Sequence, residues 1–320
     1  MFSSTWFIGT MLWMSKKSKK SHKFSLNISS VYIRVIFLVA TVIFMGSIWA
    51  WWHILYSKPE MVFSGAINNA LQTSSFSRTT IEKSDGQGFN QKVDAITEPK
   101  QFVGGTNEIS QSGDGGYTVK TDMFGTPTSD FVRYSSIKTD QKTAEGKDPD
   151  YSSIIGIWGK SSAEDNTTSG QLYGQTVMGV VPFGNLSLAD RRVMIDLIND
   201  KKVYKVNYGK VVRSIQDRRP TYTYEVTVSP EAYITMLKKY ASIVGLTQLD
   251  KIEAATYKDS PPLEFKFTID VWTRQINKIV YANSRSDSYG SYGARNLRLN
   301  PPTKTITIDE LQQKIQKASQ

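Results

Sequence analysis

The sequence predicts an α+β protein in which a membrane-spanning helix near the N-terminus precedes an antiparallel β-sheet with helices packed against it. Three observations lead there. The run Val35 to Tyr56, VIFLVATVIFMGSIWAWWHILY, contains no Asp, Glu, Lys or Arg. From Ser75 onward, apolar and polar residues alternate with a period of two, in segments parted by Gly- and Asp-rich turns. Between and after these segments lie stretches of helical period that open on serine or on proline followed by glutamate.

As a helix the apolar run rises roughly 33 Å, which matches a hydrocarbon core of roughly 30 Å. Val35 opens it and Phe44 lies near its centre, while Trp49, Trp51, Trp52 and Tyr56 gather at its C-terminal end. Amphipathic rings in that position suit the headgroup layer, and His53 lies among them. Lys16, Lys17, Lys19, Lys20, Lys23 and Arg34 precede the run without an acidic residue, whereas Lys58 and Glu60 follow it. The positive-inside rule therefore predicts a basic cytoplasmic tail at 1–34, a single-pass anchor at 35–56 and an extracytoplasmic domain at 57–320 in the cell envelope. The run exceeds the 7 to 15 residues of a signal-peptide core and lacks a small-x-small pair at its end, so an uncleaved signal anchor is expected. With no cysteine in the chain, lipid attachment through a lipobox is excluded.

Composition removes several function classes. The chain carries a net +10, but most of that excess is the tail beside an anionic membrane surface, so no nucleic-acid partner is expected. The only histidines are His22 and His53, both ahead of the domain. Histidine-based triads, histidine general bases and His- or Cys-ligated zinc are thereby excluded from it. No strand, glycine loop, Lys-Ser/Thr and helix occur in the order that a phosphate-binding loop needs. All 29 acidic residues follow the run, yet nothing singles out a catalytic pair. No enzyme activity, cofactor or metal is predicted. The sequons at Asn166 and Asn185 match by pattern alone.

Taken in order, Met1 to Met14 is apolar but too short to span, and reads as an interfacial segment, an unused start or a contact for a membrane partner. Ser57-Lys58-Pro59-Glu60 predicts a helix start capped by Ser57, with Met61, Val62, Ala66, Ile67, Ala70 and Leu71 at helical spacing. Strands are predicted at 75–83, 89–96, 101–111, 117–124 and 130–137. Turns at Asp85-Gly86-Gln87-Gly88 and Gly113-Asp114-Gly115-Gly116 join them into a meander. Gly104-Gly105 and Gly209 are expected to mark bulges. Residues 139–202 read as an excursion, with a short helix at 151–158 and a Ser187-capped helix at 188–199 that turns Val193, Met194, Leu197 and Ile198 inward. Strands are then predicted at 203–215 and 222–228, and a helix from Pro230 to Val244 ended by Gly245. Residues 246–257 read as a second helix or a helical turn. Strands at 263–271, 276–281 and near 296–300 follow, and a helix at 307–318 closes the chain.

Three pieces carry a family resemblance: TYTYEVTVSPEAYITMLKKY (221–240), FKFTIDVWTRQINKIVY (265–281) and SYGSYGARNLRLNPPTKTITIDEL (288–311). With the order of elements from Pro59 to Leu311, they resemble the exported lipid-carrier fold of the LolA and LppX/LprG type lipoproteins. The resemblance implies a sheet curved into a half-barrel, with helices on its concave face around a hydrophobic cavity that holds acyl chains. It would make Tyr222, Tyr224, Val226, Val228, Leu263, Phe265, Phe267, Ile269 and Val271 the cavity lining. Alternation places these side chains on one inner face but leaves open whether that interior is hollow or filled. Two functions therefore stand. One is a membrane-anchored, non-catalytic binder of an acyl chain or other apolar ligand. The other is a non-catalytic interaction or scaffold module with a solid core that engages envelope proteins or polymers. The chain departs from the family in lacking the lipobox cysteine and in carrying the long middle excursion.

Overall fold

The computed structural model describes residues 30–52, 56–98, 100–162, 171–293 and 301–319. His53, the tail lysines, most of 161–170 with the first sequon, and the strand expected near 296–300 lie outside the described residues. The chain divides into two units, Met1–Trp51 and Trp52–Gln320.

In the first unit, helix α1 (Ser30–Trp51) carries no charged residue from Val35 onward, and over that part its apolar residues fall on all sides. Val35, Phe44, Trp49 and Trp51 are all exposed on it. Among the described residues no helix is long and apolar enough to cross a membrane; the described side chains of α1 cover 35–51, a rise of roughly 25 Å.

The second unit is built on one large sheet. Helix α2 (Pro59–Leu71) begins with Pro59 in its first turn and buries Val62, Phe63, Ala66, Ile67, Ala70 and Leu71. Its N-cap is Lys58 with no side-chain cap, a correction to the expected Ser57, because proline in the first turn leaves one fewer amide to cap. The meander follows as β1 (Ser75–Ser84), β2 (Gln87–Ile96), β3 (Phe102–Gln111), β4 (Tyr117–Gly125) and β5 (Ser129–Thr139). Each pairs antiparallel with the next, and the β4–β5 register shifts by a bulge between Lys120 and Thr121. The helix expected at 151–158 is instead a run of turns at 152–156, after which β6 (Trp158–Ser162) pairs with β5. Gly104 and Gly105 make no bulge. A Cβ on Gly105 would lie 2.1 Å from the Lys92 carbonyl oxygen, so this glycine allows two strands to approach closely.

Helices α3 (Gln171–Val177) and α4 (Leu188–Asp200) come next. Asp130 starts α3 by accepting the Gln171 amide at 2.9 Å, and the Ser187 hydroxyl caps α4 by accepting the Asp190 amide. Met194 and Ile198 are buried on α4, whereas Val193 is exposed. The expected strand 203–215 is broken into β7 (Tyr204–Val206), a 3₁₀ turn at Tyr208–Lys210 containing Gly209, and β8 (Val212–Gln216). The Asn207 side chain accepts the Gly209 amide at 3.2 Å and closes that turn. β8 reverses through Asp217 and Arg218, both at positive φ, into β9 (Arg219–Val228).

Helix α5 (Pro230–Val244) ends on Gly245 in the left-handed region, as expected. Of the two alternatives for 246–257 the structure shows the helical turn, a 3₁₀ turn at Ala254–Tyr257. Strands β10 (Leu263–Asp270), β11 (Ile276–Tyr281), β12 (Ser286–Gly290) and β13 (Ile306–Thr307) precede helix α6 (Ile308–Ser319). β12 was not foreseen from its Ser- and Gly-rich sequence. It bridges β11 to β1, and so unites the meander and the C-terminal strands in the order β13-β6-β5-β4-β3-β2-β1-β12-β11-β10-β9-β7. The sheet is antiparallel except where β13 runs parallel to β6.

The main core lies on the face carrying Phe76, Val93, Val103, Tyr224, Phe267 and Ile279, packed against α2, α3, α4 and α5. A smaller aromatic cluster of Phe102, Phe124 and Phe131 lies on residues of the opposite parity.

Candidate functional site

The stretch read as an excursion enters the interior. Tyr173, Val177, Phe183 and Met194 are fully buried there, and the Phe183 ring stacks on Phe76 at 4.3 Å between centroids. Three tyrosines hold the loop after α3 by its carbonyl oxygens. Tyr204 donates to Val180 at 2.7 Å, Tyr233 donates to Gly179 at 3.0 Å, and Tyr240 donates to Phe183. From α2, the carbonyls of Ala70 and Leu71 accept the amides of Gly184 and Leu186. Burial pushes the phenols of Tyr204, Tyr233 and Tyr240 well above the usual tyrosine range, so they stay protonated donors.

This pinned loop forms one wall of a half-open cavity of about 660 Å³. Met178, Gly179 and Val180 supply that wall, and Tyr233 of α5 stands beside them. The facing wall comes from Arg78 and Thr80 of β1, Phe89 and Gln91 of β2, Val228, Leu263 and Phe265, and the β11–β12 turn with Arg285. The volume falls within the range of about 300–1,000 Å³ that encloses single small ligands. From Phe89 an apolar row continues across the sheet in register through Ile109, Val119 and Ile137. Ile109 is exposed and the other three are half-buried, so this row extends the cavity as an uncovered trough.

Of the nine residues expected to line a cavity, Val228, Leu263 and Phe265 do so. Tyr222, Tyr224, Val226, Phe267, Ile269 and Val271 are buried in the packed core. Phe63 of α2 fills the space over Tyr224 and Phe267, at 5.3 and 5.8 Å between centroids. The hydroxyls of Tyr222 and Tyr224 donate to the carbonyls of Ser57 and Pro59. The same inner face is thus solid under α2 and hollow at the end reached by α3 and its loop.

Among residues expected at the membrane interface, Trp52 and Tyr56 belong to the second unit. Their rings stack at 4.6 Å. The Tyr56 hydroxyl donates to the Trp272 carbonyl at 2.9 Å, and the Arg274 guanidinium lies 4.0 Å from the Tyr56 ring centroid. These contacts fix the start of the domain to the β10–β11 turn.

The polar residues of the cavity were not singled out from sequence, although a signal was present. In SFSRTTIEK, Arg78 and Thr80 share the parity of the core residue Phe76, so alternation alone turns both inward. Next to them Asp287 is fully buried. It accepts from Tyr281 at 2.7 Å and pairs with Arg285 at 3.3 Å, leaving that charge compensated. Among the described residues no group of His, Cys, Asp and Glu could hold a metal ion.

No family model matches the chain, and no curated protein matches it. Among solved structures it is similar to LprF from Mycobacterium bovis, at 11% identity and a TM-score of 0.42, over 76% of this chain and 96% of that one. It is also similar to the Mycobacterium tuberculosis lipoprotein LppX, at 10% identity and a TM-score of 0.30, over 76% of this chain and 98% of that one.

Proposed function

We propose that this is a non-catalytic, membrane-anchored envelope protein that binds an acyl chain or similar apolar ligand in the cavity between its sheet and the loop after α3. The observation that carries the reading is the cavity itself, about 660 Å³ with Met178, Val180, Val228, Leu263, Phe265 and Phe89 on its walls. A filled interior would have favoured an interaction module. The apolar part of these walls is stabilised by an apolar occupant, because each methylene removed from water contributes about 0.8 kcal/mol. The absence of histidine and cysteine from the domain agrees with a carrier role.

Anchoring rests on the apolar run Val35 to Tyr56, whose described part on α1 exposes apolar side chains on every side. A helix of that kind suits lipid better than water. The basic residues ahead of it support a cytoplasmic N-terminus and an extracytoplasmic domain.

The test is to purify the full chain from membranes, wash it, and analyse the organic extract and the native mass spectrum. A stoichiometric apolar ligand is expected, and Leu263→Trp, a half-exposed position on the cavity wall, should deplete it at least several-fold without unfolding the domain. Protein that carries no lipid and takes none up would overturn the reading.

A further inference from the structure

Resting on that reading, we infer that the cavity is selective for amphiphiles with an oxyanion head, a carboxylate or a phosphate, and that Arg78 with Thr80 forms the head-group subsite. Arg78 is only 5% exposed. Its guanidinium has two partners, both uncharged: Nη1 donates to the Gln175 carbonyl at 3.3 Å and Nη2 to Gln91 Oε1 at 3.2 Å. Nε has no partner. Among the described residues no carboxylate pairs with it; Asp287, on the neighbouring strand β12, is committed to Arg285 and Tyr281. Thr80 lies two residues along the same strand, on the same face, and its buried hydroxyl is also without a partner. Both residues line the cavity.

A buried, uncompensated guanidinium is costly, and an unsatisfied hydroxyl beside it adds to that cost. One ligand chemistry relieves both. An oxyanion placed between the two side chains would accept a charge-assisted bond from Nε and a second bond from the threonine hydroxyl. The neighbouring walls at Phe89, Val228, Leu263 and Phe265 are apolar and continue toward the open trough, which suits the chain attached to such a head. An uncharged lipid would fill the walls and leave Arg78 as it is.

The experiment uses the full chain in amphipol and three photoactivatable probes of equal chain length: a free fatty acid, its methyl ester and a lysophosphatidic acid. Crosslinked residues are mapped by mass spectrometry. At least one of the two anionic probes is expected to label the cavity walls with about 10- to 100-fold higher apparent affinity than the ester. Arg78→Met should abolish that preference, Arg78→Lys should restore part of it, and Thr80→Val should weaken the anion several-fold while leaving ester labelling unchanged. Thr80→Val keeps the test valid if Arg78→Met fails to fold. Comparing the fatty acid with the lysophosphatidic acid identifies the head as carboxylate or phosphate. Equal cavity labelling by acid, phosphate and ester, unaffected by either variant, overturns the oxyanion subsite and leaves the acyl-chain reading standing. No cavity labelling by any probe overturns both.

Discussion

The phenol of Tyr233 on α5 donates to the carbonyl of Gly179 at 3.0 Å, and this bond joins a helix packed on the inner face of the sheet to the loop that walls the cavity. Tyr240, on the same helix two turns later, makes the equivalent bond to Phe183. Tyr233→Phe and Tyr240→Phe each leave a carbonyl without its donor and should destabilise the domain by about 1 kcal/mol. Hydrogen exchange of 178–184 should accelerate in both variants before global stability is lost. Unchanged exchange there would mean that the loop is held by its apolar packing and its bonds to α2 and Tyr204, and not by these two phenols.

Asp270 is 3% exposed, and its Oδ1 accepts the amides of Trp272 and Thr273, both at 2.8 Å. Those bonds shape the turn that positions Arg274 against Tyr56. Asp270→Ala should cost about 2–3 kcal/mol in urea unfolding, and Asp270→Asn, which keeps one acceptor oxygen, less. Equal stability of the alanine variant would show that the turn is held by other contacts.

A methyl group at Gly105 would lie 2.1 Å from the Lys92 carbonyl oxygen and 2.8 Å from Val93 Cα, both backbone atoms of β2. Gly105→Ala must therefore push β2 and β3 apart. A loss of about 1–3 kcal/mol is expected, with exchange of the β2 and β3 amides increased. A neutral outcome would contradict the close approach of the two strands.

Alkaline pH should unfold the domain through its tyrosines. Burial holds Tyr204, Tyr224, Tyr240, Tyr281 and Tyr289 protonated well above the usual range, with neighbouring charges adding to the shift at Tyr281 and Tyr289. Below about pH 10 these groups keep their protons whether folded or unfolded, and their contribution is fully present. Above that value only the unfolded chain releases protons, so stability falls as pH rises toward the folded values. Absorbance at 295 nm should show this buried set ionising together with the loss of circular dichroism. Ionisation of every tyrosine near pH 10 with the fold intact would refute the assignment.

Sidedness can be read directly because the chain has no native cysteine. Ser112→Cys, in an exposed turn, should react with a membrane-impermeant maleimide in intact cells. Ser18→Cys should react only after permeabilisation. The reverse pattern would place the domain in the cytoplasm.

Residue order alone determined much of this protein: the apolar run, the five-strand meander, the α5 helix between Pro230 and Gly245, and the parity that puts Tyr224 and Phe267 inside. Each of these follows from local periodicity and turn chemistry, which neighbouring residues specify by themselves. The tertiary structure decided the rest. Whether the inner face is solid or hollow depends on what crosses it, and the crossing elements come from distant parts of the chain, Phe63 over Tyr224 and the 178–183 loop beside Val228. Arg78 reads as one more strand residue until β12, α3 and β2 close around it, with the one buried carboxylate they bring among the described residues, Asp287, already paired with Arg285. Long-range packing places those groups, and no pattern within β1 carries that information.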